Sequence, residues 1–199
     1  MQIFFSCLVS RQALTSNCGI IRFINLRKRY VLKTKLVVIR GNSASGKSTI
    51  AKQVRAYFER GEVMIIPQDE IRLGILNVKD RVGNLTPDLM AHIALFGKGK
   101  VSLIIIEGIL NTAIYQDMLQ QLLAGYGADM TAYYLDIPFD ETVRRHQTRE
   151  KSKQWGADVM RRWWVEKDYL GIENEVIFNQ GSSAAEMVEK IIADSKGLG

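Results

Sequence analysis

Short apolar runs separated by periodic, amphipathic stretches set the pattern of this chain. Leu36 to Ile39 is continuously apolar and reads as a buried strand, and Val63 to Ile66, Val101 to Ile106, Thr131 to Ile137 and Val176 to Phe178 repeat the signal. Between them lie stretches of helical period. Ser48 to Arg60 places Ile50, Val54 and Tyr57/Phe58 on one face, with Gly61 as its C-terminal stop. Thr86 to about Phe96 opens on Thr-Pro-Asp and breaks at Gly97-Lys98-Gly99, while Asn111 caps a helix reaching about Ala124. Phe139 to Arg149, Ala157 to Asp168 and an amphipathic Ser183 to Ser195 complete the set. Strands alternating with helices predict an α/β fold of three layers: a five-stranded parallel sheet, joined by right-handed crossovers, with helices on both faces.

The first strand runs straight into Gly41-Asn42-Ser43-Ala44-Ser45-Gly46-Lys47-Ser48, which satisfies G-x-x-x-x-G-K-[ST], and Ser48-Thr49-Ile50 opens the following helix. Strand, glycine loop and helix in that order form a phosphate cradle. The glycines let backbone N–H groups point inward, the helix N-terminus adds its positive dipole end, Lys47 reaches terminal phosphates, and the Ser48 hydroxyl suits Mg²⁺. Gly41 through Thr49 are therefore the expected contacts to the nucleotide phosphates.

A phosphate loop says that a nucleotide binds, and carboxylates say what happens to it. Asp69, Glu107 and Asp136 all stand at strand ends. Asp69 follows the second strand, with Arg72 one turn later, at the edge where open parallel sheets bind ligands. It is the expected base for an acceptor hydroxyl, with a helix N-cap as the competing reading. Glu107 ends the apolar run Leu103-Ile104-Ile105-Ile106 in the manner of a Walker-B acid. It could hold Mg²⁺ through water or bind the acceptor. Asp136 precedes Ile137-Pro138 and reads as a turn or helix-start carboxylate.

The arginines concentrate later, at Arg144, Arg145, Arg149, Arg161 and Arg162, with Lys151 and Lys153 between them. A planar guanidinium donates two parallel bonds to phosphate, so a lid over about 145–165 is expected to close on the donor phosphates, Arg149 foremost. The alternative is a solvated basic helix face. Trp163 and Trp164 read as core or lid-hinge packing rather than base stacking, and His92 and His146 as structural or solvent-facing. Asn77-Val78-Lys79-Asp80 is not a guanine-reading N-K-x-D, because its lysine is displaced by one place.

Charge changes the picture at one end only. Of 27 basic residues, 7 fall in residues 1–35, which hold no acid, leaving 20 against 21 acids beyond them. The net charge of +6 therefore belongs to a basic extension over 1–34, and the body from residue 35 is close to neutral, which makes a nucleic-acid partner unexpected. Both cysteines, Cys7 and Cys18, lie in that extension, so the body is independent of disulfides, as a cytoplasmic protein would be. A transit peptide, a genuine basic appendage and translation from an upstream start codon all remain open for it. No apolar run reaches the roughly 20 residues of a membrane helix, and no obligate protein partner is evident.

The phosphate loop, the Gln68-Asp69-Glu70-Ile71-Arg72 segment, the Ile106-Glu107-Gly108 strand end and the Arg144 to Arg149 helix together resemble the zeta-toxin-like group of P-loop small-molecule kinases. That group is also similar to chloramphenicol phosphotransferase, adenylylsulfate kinase and, more loosely, uridine kinase. The resemblance covers about residues 36–195. It implies ATP and Mg²⁺ as cofactors and transfer of the γ-phosphate to a hydroxyl of a small molecule. It also implies Asp69 as base, Arg72 at the acceptor, Glu107 in acceptor or metal binding, and Arg145 and Arg149 as lid arginines. The zeta toxins proper are longer, so the resemblance implies the reaction rather than the acceptor. A nucleoside or nucleotide kinase is the nearest alternative. A nucleotide-binding regulator with slow ATPase activity is the alternative from another class.

Overall fold

A computed structural model describes residues 33–197, and the basic extension therefore lies almost wholly outside the described residues. Five parallel strands, β1 (Lys35–Gly41), β2 (Val63–Pro67), β3 (Leu103–Glu107), β4 (Met130–Asp136) and β5 (Glu175–Asn179), form one sheet in the order β2-β3-β1-β4-β5. β1 is central. Its register sets Ile39 opposite Glu107 of β3 and Arg40 opposite Tyr134 of β4, so the ends of all three strands meet where the chain leaves β1.

Of the helices α1 (Lys47–Arg55), α2 (Thr86–Gly97), α3 (Thr112–Tyr126), α4 (Phe139–Gln147), α5 (Ala157–Arg162) and α6 (Ala184–Lys196), α2 and α3 cover one face of the sheet and α1 and α6 the other. Side chains alternate across a strand, so each face of the central strands buries its own set. Leu36, Val38, Ile104 and Ile106 pack with Met90, Ala94, Leu119 and Leu122 of α2 and α3. Val37, Ile39 and Ile105 pack with Ile50 and Val54 of α1 and Val188 and Ile191 of α6. This two-sided burial explains why these strands read as unbroken apolar runs. Thr34 is held by the body as well: its hydroxyl donates to the Val101 carbonyl at 2.6 Å and accepts from Gly99 N–H at 2.8 Å.

Caps act where the sequence places them. The Asn111 side chain accepts from Ala113 N–H, and Ser183 with Glu186 makes a reciprocal capping box at the start of α6. Three helices are shorter than their pattern, α4 ending at Gln147 instead of Arg149. α1 ends at Arg55, where the Ala56 N–H tightens onto the Lys52 and Gln53 carbonyls, and Tyr57 faces solvent while Phe58 packs inward. α5 ends at Arg162 instead of continuing to Asp168, because Val165 N–H donates to the Asn42 side chain rather than to a helical carbonyl.

Ile191 is wholly buried between α6 and the sheet, whereas the Ser183 cap is at the surface. Packing should therefore outweigh capping: Ile191→Ala is expected to cost about 2–5 kcal/mol and Ser183→Ala about 1 kcal/mol, measured by urea unfolding.

Candidate functional site

The loop between β1 and α1 has the backbone its glycines require. Gly41 has φ +138°, and a Cβ there would lie 2.7 Å from the Leu135 carbonyl oxygen, so no larger residue fits. Gly46 has φ +112°, and Ala44 takes φ +62° despite its side chain, a strain of about 1 kcal/mol held at the turn of the loop. Ser48 and Thr49 open α1 at the surface, and Ser43 is half-buried on the loop.

Lys47 is buried, and its Nζ donates to the Asn42 carbonyl at 2.8 Å and to Ser45 Oγ at 3.4 Å. Burial pushes this ammonium down to about 8. The carboxylates of Glu107 and Asp69 resist that shift, and the Arg149 guanidinium adds to it. The same set of charges acts on Glu107, whose carboxyl is raised first by burial and then by Asp69 and Glu70, against Lys47 and the Ser48 bond. Lys47 and Glu107 thus each feel the other's charge and that of Asp69. The Ser48 hydroxyl lies 3.0 Å from each carboxylate oxygen of Glu107. Hydroxyl and carboxylate oxygens at that spacing are hard donors suited to Mg²⁺. Among the described residues no group of three or more His, Cys, Asp or Glu side chains could hold a metal, so an ion held by Ser48 and Glu107 would need its remaining ligands from outside the protein.

Asp69 stands at the carboxyl end of β2, just before a π-helical turn, Glu70–Ile75. Its carboxylate makes no capping bond, contrary to the competing reading. It is 63% exposed and accepts from Arg72 Nη2 at 3.0 Å. Arg72 Nε is buried without a hydrogen-bond partner among the described residues. Gln68, next to Asp69, is pinned on three sides. Its amide nitrogen donates to Tyr115 OH at 2.7 Å and Asp80 Oδ2 at 3.0 Å, and its oxygen accepts from Leu110 N–H at 3.2 Å. Tyr115 in turn donates to Asp80 at 2.7 Å.

The arginines divide. Arg145 donates to Glu141 at 2.7 Å and to the Ser45 carbonyl at 3.0 Å, which places it against the phosphate loop. Arg144 is paired with Glu141 at the surface. Arg149 is exposed, close enough to act on Lys47, and in no ion pair among the described residues. Asp136 accepts from Tyr169 OH at 2.6 Å. Trp163 and Trp164 pack edge to face on Trp155 and Phe139, and His146 is buried with Nε2 on the Trp155 carbonyl. His92 is exposed beside the Asp88 carbonyl of its own helix.

The motif reading missed Arg40, fully buried at the end of β1. Its Nη2 meets Asp168 Oδ2 at 2.7 Å, its Nη1 the Asp168 carbonyl at 2.7 Å, and Nε and Nη2 both reach the Leu110 carbonyl. A signal existed: a lone arginine ending an apolar strand is a charge that burial must compensate.

No protein-family model matches the sequence, and no curated protein sequence matches it significantly. Solved structures do. The Mycobacterium tuberculosis APS kinase, in a complex with AMPPNP and APS, superposes with a TM-score of 0.62 over 83% of this chain and 99% of its own, at 19% identity. The fold is that of the P-loop kinases. A Deinococcus radiodurans tunicamycin resistance protein gives 0.58 at 16% identity over 82% and 96% of the two chains. A gluconokinase from Sinorhizobium meliloti 1021 gives 0.56 at 12% identity over 82% and 93%. The five-stranded parallel sheet expected from the strand pattern agrees with this P-loop kinase fold, and no helix among the described residues is long and apolar enough to cross a membrane.

Gly108 lies under the pinned amide, and a Cβ there would come 2.3 Å from Gln68 Oε1 and 2.5 Å from Gln68 Cβ. Gly108→Ala is expected to lose about 1–3 kcal/mol of stability in denaturant titration, because Gln68 cannot yield without dropping its bonds to Tyr115 and Asp80.

Proposed function

We propose that this chain is a small-molecule kinase that transfers the γ-phosphate of ATP to a hydroxyl group. The observation that carries the reading is that Ser48 bonds Glu107 and Lys47 feels the charges of Glu107 and Asp69 at one edge of the sheet, beside a loop that takes positive φ at Gly41, Ala44 and Gly46. The kinase fold supports it.

In this reading Gly41 to Thr49 wrap the donor phosphates through backbone N–H groups, and Lys47 turns from Asn42 and Ser45 toward the terminal phosphates. Ser48 and Glu107 would hold Mg²⁺, which neutralises phosphate charge and orients the terminal group when bound. Asp69, exposed toward solvent and oriented by Arg72, accepts at a carboxylate oxygen the proton of the acceptor hydroxyl, whose own oxygen attacks the γ-phosphorus as the bond from that phosphorus to the bridging oxygen breaks and ADP leaves. Arg149, in no ion pair among the described residues, would meet the transferred group, and Arg145 braces the phosphate loop from α4. The stretch 148–164 acts as the lid, excluding water in favour of the acceptor hydroxyl. A small-molecule acceptor is the only partner this chemistry requires.

The deciding assay is ADP release from ATP and Mg²⁺ across sugar nucleotides, nucleosides, nucleoside monophosphates and hydroxyl-bearing antibiotics. One acceptor should raise turnover well above the water background. Asp69→Asn is expected to keep ATP binding and lose about 10²–10⁴-fold of that increment, while Lys47→Ala loses donor binding or turnover. Near-normal transfer by Asp69→Asn would remove it as the base. ATP binding that no acceptor accelerates would favour the regulator instead.

Lys47 also predicts a pH dependence. With the ammonium at about 8 in the free site, raising the pH above that value empties it, and bound phosphate must restore the proton. MgATP affinity should be flat below neutrality and fall by up to about tenfold per pH unit above 8, with proton uptake seen calorimetrically in buffers of differing ionisation enthalpy. Equal heats in all buffers at pH 8.5 would contradict it.

A further inference from the structure

Two side chains flanking Gly41 grip the same remote segment. Arg40 holds Asp168 through both its carboxylate and its carbonyl. Asn42 and Val165 exchange two bonds, the Asn42 amide donating to the Val165 carbonyl at 2.7 Å and accepting from its N–H at 3.0 Å. Residues 165–170 belong to no helix or strand, and Lys167 among them has φ +45°. Their path is set by the side chains that bind them. Asp168 accepts further bonds from Thr112 N–H and hydroxyl, while Glu175 accepts from Leu170 and Gly171 N–H and lies 3.7 Å from Arg40.

The stretch 148–164 is therefore tied to the phosphate loop at both roots. Arg145, just before it, bonds the Ser45 carbonyl, and Val165, just after it, bonds Asn42. Between the roots, rings hold it together. His146 stacks on Trp155 at 5.8 Å, Trp155 meets Trp163 at 5.7 Å, and Trp164 meets Phe139 at 5.1 Å. All three tryptophans of the chain, Trp155, Trp163 and Trp164, lie here, so tryptophan fluorescence, excited at a wavelength the seven tyrosines do not absorb, reports on this stretch.

A buried guanidinium is a costly way to fill a strand end, and an apolar residue would fill it with no charge to compensate. Leu36 and Val38 do so on the same face. What an apolar residue could not do is hold the Asp168 carboxylate and the Leu110 carbonyl from one planar group.

We propose that Arg40 is a positioning residue for phosphoryl transfer: by holding Asp168 it fixes the root of the lid to the phosphate loop, so that nucleotide in the loop sets where the lid lies. The inference rests on the kinase reading above. Arg40 touches neither donor nor acceptor in this scheme. It acts through the 165–170 segment on the arginines of the stretch before it.

The test uses the full chain and AMPPNP with Mg²⁺, measuring affinity by calorimetry and the lid by tryptophan fluorescence. Wild type is expected to bind and to change its fluorescence with the same half-saturation. Arg40→Met should bind within about threefold of wild type yet lose at least half of the fluorescence amplitude, and Arg40→Lys should fall between them. With the acceptor named by the panel assay, the ratio of ATP hydrolysis to acceptor transfer should rise about tenfold in Arg40→Met, since a lid without its root admits water. A merely structural loss lowers both rates together and leaves that ratio unchanged. Asp168→Asn carries the same expectations from the other partner if Arg40→Met is insoluble. Unchanged amplitude and unchanged ratio in a soluble variant would overturn the inference while leaving the kinase reading intact. Failure of wild type to bind AMPPNP would overturn that reading and this one with it.

Discussion

Arg40 places a full charge where no water reaches it, one residue before the phosphate loop begins, and the surrounding chain is arranged to compensate it. Burial lowers its affinity for a proton, and the carboxylates of Asp168 and Glu175, with the Tyr134 ring nearby, oppose that loss. Meeting this demand draws together the end of β1, the turn after β3 through the Leu110 carbonyl, the start of α3 through Thr112, and the start of β5 through Glu175. These elements border the phosphate loop on the α3 face of the sheet. The charge therefore ties these elements together by directed bonds, which apolar contacts, having no direction, would not supply.

A second constraint acts across β1 and β3. Parallel strands covered on both faces leave their carboxyl edge as the place where polar side chains can gather, and the central position of β1 gathers Lys47, Ser48 and Glu107 there. Lys47 is held in a site that disfavours its charge, and Glu107 in one that disfavours its own. Each partly relieves the other. A multiply charged phosphate group entering this edge would complete what Lys47 lacks, the kind of preorganisation that phosphoryl transfer depends on.

Around Asp69 the order comes chiefly from hydrogen bonds. Gln68, Tyr115 and Asp80 close a three-membered network that fixes the chain on either side of Asp69. The π-helical turn after Asp69 is a backbone form often found at functional sites, and it leaves the Asp69 carboxylate outside any capping bond and open to solvent.

How much of this was legible in advance follows from the range of the interactions. The phosphate loop, the strand ends carrying Asp69 and Glu107, the Asn111 cap and the five-strand pattern are local, and each is set by residues a few positions apart. The sheet order was not legible. Both Glu107 and Asp136 end strands beside β1, and only the tertiary contacts show Glu107 on Ser48 and Asp136 on Tyr169. α5 carried a helical pattern to Asp168, yet Arg40 and Asn42, more than 120 residues away in the chain, offered Val165 and Asp168 stronger partners than the next helical turn. Local propensity is a matter of tenths of a kilocalorie per residue, while a buried, charge-assisted bond is worth about 1.5–3 kcal/mol. Sequence pattern therefore specified which groups this chain has for chemistry, and long-range packing specified which of them meet.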